Sequence, residues 1–243
     1  MRRPLAIALA AAAAFAVILV SRLPASWVVP RSGALACEGP DGSVWNGSCS
    51  NLSVERFALG ELTWEVTPLR LLTGELAAHV ALAHGPLTGS ADIARGLGGS
   101  LTLHNLSADL RLDPRQIPRT PPQLRGALHT ELSLVRIEHG RLAEIRGRVE
   151  AHDLTQRTGR VTPLGSYAVT FPGGGTEPTG TLEDLGGPLA VRGTLRLTGQ
   201  PGYVLDGVVA ARESAAPELA QDLQFLGSPD ASGRRPFSIA GTF

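Results

Sequence analysis

Six histidines, His79, His84, His104, His129, His139 and His152, are the residues best suited to acid–base or metal chemistry in this chain. None falls in an HExxH pattern, which would put two ligands and a general base on one helix face. Their scatter over the middle of the sequence reads as strand residues facing solvent. Cys37 and Cys49 are the only cysteines, and the segment between them carries the turn signals Pro40-Asp41-Gly42 and Asn46-Gly47. A disulfide across a hairpin fits that spacing, with two free thiols as the alternative. Structural zinc is disfavoured, because the pair lacks CxxC spacing and has no histidine nearby. Nucleophilic and phosphate chemistry also lack their signatures. There is no GxSxG elbow, the absence of lysine rules out a P-loop, and the glycine clusters at 96–99 and 173–175 run into strand-like sequence instead of a helix. No catalytic residue, cofactor site or metal site is assigned, and a binding protein is expected over an enzyme.

Charge narrows the partners. The 22 basic residues, all arginine, balance 22 acidic ones, so the chain lacks the positive field of a nucleic-acid binder. With 29 glycines, 18 prolines and only 18% charged residues, the composition is that of short elements joined by many turns. Length permits a sizeable core without metal or cross-link. The strings Asn46-Gly-Ser48, Asn51-Leu-Ser53 and Asn105-Leu-Ser107 match a glycosylation acceptor, a pattern short enough to arise by chance.

Arg2 and Arg3 precede an apolar run over residues 5–20, followed by Arg22 and Trp27. Sixteen residues give about 24 Å of helix against a hydrocarbon core of about 30 Å, so an anchor competes with a cleavable signal. Leu23 and Ala25 around Pro24 make a poor cleavage site, which favours the anchor. Positive charge before the run places the N-terminus in the cytoplasm. Residues 1–30 are therefore read as a cytoplasmic stub and single inner-membrane anchor, and 31–243 as a periplasmic domain.

That domain alternates with period two, the mark of strands with one buried face. Leu76, Ala78, Val80 and Leu82 form one stripe. Leu128, Leu132 and Leu134 form another, with His129, Glu131 and Ser133 turned away. Leu101 with Leu103, Leu110 with Leu112, and Leu195 with Leu197 repeat the pattern. Helical signals are confined to residues 68–73 and 218–226, both expected to cover ends or edges. The fold class expected is mainly β: an N-terminal membrane helix, then a curved antiparallel β-meander with few short helices. Changes of direction are expected at residues 113–122 and 171–180.

Two ordered segments resemble a known family. The first runs through Trp45, Gly47 and Trp64 to Pro68 and Gly74. The second comprises Asp184, Gly186, Gly187, Pro188 and Leu189, followed by Gly193, Gly202-Tyr203, Ala211-Arg212 and Pro236-Phe237. Together they resemble type II secretion system protein N over nearly the whole chain. The tryptophans are of a size to fill a sheet core and the glycines permit turns or close strand approach, so these residues are read as structural. The resemblance implies an accessory inner-membrane component of the apparatus that exports folded proteins across the outer membrane. Its partners would be the inner-membrane platform proteins or the outer-membrane secretin. The first segment is also similar to AsmA-like envelope proteins, which implies the rival function of binding or transferring lipid along a curved sheet. A continuous apolar lining would favour the rival, and a filled core with polar faces the scaffold.

Overall fold

Residues 15, 18–27, 29, 35–54, 57–114, 123–175, 177–198 and 202–242 are described by the structure, a computed structural model. Most of the apolar run at 5–20 lies outside the described residues, and no helix among them is long and apolar enough to cross a membrane.

Thirteen antiparallel strands form one open sheet whose spatial order is the sequence order. They are β1 (Leu35–Gly42), β2 (Asn46–Val54), β3 (Phe57–Thr67), β4 (Glu75–Ala83), β5 (Leu87–Gly96), β6 (Leu101–Leu112) and β7 (Leu124–Glu138). There follow β8 (Arg141–Thr158), β9 (Arg160–Phe171), β10 (Thr179–Asp184), β11 (Leu189–Thr198), β12 (Gly202–Ala211) and β13 (Arg235–Thr242). The non-strand elements include 3-10 turns at Ala25–Trp27, Pro68–Thr73 and Leu223–Leu226, and one short helix, α1 (Pro217–Asp222). Both expected changes of direction are connections between neighbouring strands of this sheet, β6 to β7 and β9 to β10.

The Leu76, Ala78, Val80, Leu82 stripe lies in β4 as its alternation requires. Leu101 and Leu103 belong to the same strand as Leu110 and Leu112, although their parity differs. The phase change falls at Asn105, which has φ of 51° and sits where the β5–β6 register shifts. Asp153, with φ of 50°, does the same in β8, between Ala151 and Leu154. An inserted residue rotates the strand and swaps which parity faces the core, and Asn and Asp tolerate the left-handed conformation this needs.

One face of the sheet is apolar and mostly lacks a second layer. Two clusters are buried: Cys37, Cys49 and Leu52, packed by Leu62 and Trp64, and Leu182, Val191 and Val209, packed by Tyr167, Leu205 and Phe237. Ile239, which borders a groove on this face, is 49% exposed. The other face carries cross-strand polar pairs, among them hydrogen bonds of His79 with Asp92 at 2.7 Å and His129 with Asp109 at 2.8 Å, and the ion pair of Arg148 with Glu183 at 2.9 Å.

Candidate functional site

Because the meander runs up and down, its connections fall at two ends. The end holding the β1–β2, β3–β4 and β5–β6 turns contains the first motif. Cys37 in β1 and Cys49 in β2 lie opposite Leu52 and Pro40, and bridge the two strands with Cα atoms 5.8 Å apart and sulfurs 2.12 Å apart in a disulfide. The reversal between those strands is residues 43–45, flanked by the two turn signals seen in the sequence. Trp64 lies over Gly47, where a Cβ would come within 2.5 Å of the indole, and its Nε1–H donates to the Val44 carbonyl at 3.1 Å. Trp45 Nε1–H donates to the Val20 carbonyl at 2.8 Å, and the Trp45 carbonyl accepts from the Val66 N–H at 2.6 Å. Pro68 opens the 3-10 turn, where its fixed φ suits the first position, and Gly74 closes it in the left-handed conformation with φ of 78°.

The second motif lies at the opposite end, in the β10–β11 turn. Asp184 accepts from the Arg212 guanidinium at 2.5 Å and from the Val191 and Gly186 N–H groups at 3.1 and 3.2 Å. Arg212 also donates to the Gly187 and Leu189 carbonyls, and its N–H to the Pro188 carbonyl. Burial pushes the Asp184 carboxyl up, but Arg212 and the two N–H donors outweigh it and hold the group below the usual carboxylate range. The two motifs are thus separate local knots, not halves of one site.

The histidines also stay apart. His79 and His104 flank Asp92 from the adjacent strands on the polar face, and Asp92 accepts from Asn105 at 2.9 Å. Asn105 and then His79 hold the Asp92 carboxyl below its ordinary value. Among the described residues, no group of three His, Cys, Asp or Glu is arranged to hold a metal ion.

What sequence reading did not single out is a groove of about 750 Å³ on the apolar face. Strands β7 to β13 border it with side chains that include Val149, Val169, Leu182, Val191, Leu205 and Phe237, and Leu223, Phe225 and Leu226 form a rim after α1. Its volume is that of a small-molecule site, and its lining is almost wholly apolar. The signal was present as the repeated apolar parity of these strands. Alternation alone cannot say whether the buried face meets protein or open space.

Residues 33–238 match the family described as type II secretion system (T2SS), protein N. The chain belongs to this family. A type II secretion system protein N from Aeromonas hydrophila is 25% identical over 255 residues, covering 99% of each chain. The protein of the same name from Vibrio cholerae serotype O1 is 25% identical over 236 residues, covering 92% of each. No solved structure gives a significant match. Membership makes this chain an accessory component of the type II secretion system.

Proposed function

We propose that this protein N is a single-pass inner-membrane protein, residues 1–30 forming the anchor and 31–243 a curved periplasmic β domain that assists assembly or stability of the apparatus. The match to the family over residues 33–238 carries this reading. The free edges of β1 and β13 support it, since an outer strand offers unpaired N–H and C=O groups to a partner's extended segment. The platform proteins of the inner membrane or the secretin of the outer membrane are the partners proposed. The test is a chromosomal deletion. Export of folded periplasmic substrates across the outer membrane should fall while their entry into the periplasm is unchanged, and full export under high substrate load would reject the role.

One observation favours a second reading. The apolar groove of about 750 Å³ has the lining expected for lipid handling along the sheet. Lipid extracted with the purified full chain, together with altered outer-membrane permeability and unimpaired secretion in the deletion strain, would replace the first reading with this one.

A further inference from the structure

Exposed leucines collect where the N-terminal apolar run meets the sheet. The Pro68–Thr73 turn presents Leu69 and Leu72 at 74% and 85% exposure, and the β5–β6 turn presents Leu97 at 91%. These turns touch: Leu97 Cδ1 lies 3.0 Å from where a Cβ on Gly74 would stand. Side chains so large and so exposed, side by side on neighbouring turns, gain nothing from the fold itself.

The covalent chain says what lies beside them. Val20, the last residue of the apolar run, accepts from Trp45, and the Leu23 carbonyl accepts from the Val44 N–H at 3.0 Å. Trp45 in turn bonds Val66, two residues before the Pro68–Thr73 turn begins. Val20 therefore meets the fold at the same end as the leucine-bearing turns, about one to two strand spacings from the Pro68–Thr73 turn and about three to four from the β5–β6 turn. Arg95 borders the same surface as Leu71 and Leu97, and Arg70, paired with Glu75 at 2.9 Å, lies in the Pro68–Thr73 turn, a pairing of apolar tips with guanidinium groups that suits a headgroup layer.

We infer that the β3–β4 and β5–β6 turns form a second membrane contact, Leu69, Leu72 and Leu97 dipping into the lipid surface beside the anchor so that the sheet stands on the bilayer at a fixed end. This rests on the anchor reading of residues 1–30. The groove rim with Phe225 follows β12, nine strands from β3 and on the opposite strand ends, so it lies far from this contact along the sheet.

The experiment uses the full chain with its disulfide intact, reconstituted into phosphatidylethanolamine and phosphatidylglycerol vesicles and isolated by flotation. A polarity-sensitive fluorophore is placed on Leu72→Cys, on Leu97→Cys, or on Phe225→Cys, which is 86% exposed at the opposite end. Blue-shifted emission, quenched by lipids brominated near the headgroup, is expected from the first two positions and water-like emission from the third. Water-like emission from Leu72→Cys and Leu97→Cys on chains that float with the vesicles overturns the inference and assigns the leucines to a protein partner. Chains that do not float at all overturn the anchor reading, and this inference with it.

Discussion

Reducing the Cys37–Cys49 bridge should weaken the N-terminal part of the sheet by an amount the structure fixes in advance. The two cysteines are twelve residues apart, and closing a loop of that size contributes about 3 kcal/mol at 25 °C on the chain-entropy relation. Comparing oxidised with reduced wild type keeps every side-chain volume, so no cavity term enters. All three tryptophans, Trp27, Trp45 and Trp64, lie in the first third of the chain, and Trp64 packs on the disulfide cluster. Their fluorescence therefore reports this region during urea unfolding of the full chain in mild detergent. With a slope of about 2 kcal/mol per molar urea, the midpoint should fall by about 1.5 M on reduction. A Cys37→Ala, Cys49→Ala variant should lose at least as much and show no further response to reductant. Thiol labelling of protein matured in the periplasm should be silent before reduction. If labelling shows both thiols freed and the midpoint moves by less than about 0.3 M, the entropic account is wrong.

Trp64→Ala should cost about 2–4 kcal/mol, below the full-burial range because the ring is only partly buried, but with the bond to the Val44 carbonyl also lost; lowered cellular abundance is the readout, and a stable, abundant variant deficient only in partner binding would place this ring at an interface. Asp184→Asn should flatten the acid limb of the stability curve: the folded carboxyl titrates below its ordinary value, so its contribution is complete above about pH 4 and lost as pH falls through the folded value. His129 is raised above 6.5 by its bonds to Asp109 and Glu131, so its small contribution is present below 6.5 and lost as pH rises through the folded value; NMR titration should give a midpoint above 6.5 that Asp109→Asn lowers.

Strand identity was legible in the sequence wherever alternation ran unbroken, as in β4, because burial of one face leaves a period of two. It was broken at Asn105, where a single inserted residue reverses the parity and makes Leu101–Leu103 and Leu110–Leu112 read as two stripes of one strand. The hairpin holding the cysteines was legible from its turn residues, and the helical segments at 68–73 and 217–226 from proline and leucine spacing. The groove was not. Val149, Val169 and Leu205 carry the same pattern whether a second layer covers them or leaves them open, and that depends on how many elements the chain has left to pack against the sheet. Here α1 and the turn after it are all that follow β12 before the edge strand, and they form only a rim.

The strict agreement of spatial with sequential strand order bears on how this chain comes to be folded. Each strand finds its partner in the strand synthesised just before it, across connections that are mostly a few residues long. Closing such loops is fast and entropically mild compared with the distant pairings of most β architectures. An emerging chain can therefore add strands one at a time, and no strand must wait unpaired for a distant partner not yet available. At every stage the newest strand is the growing edge, so the polypeptide exposes one advancing template for mispairing instead of many.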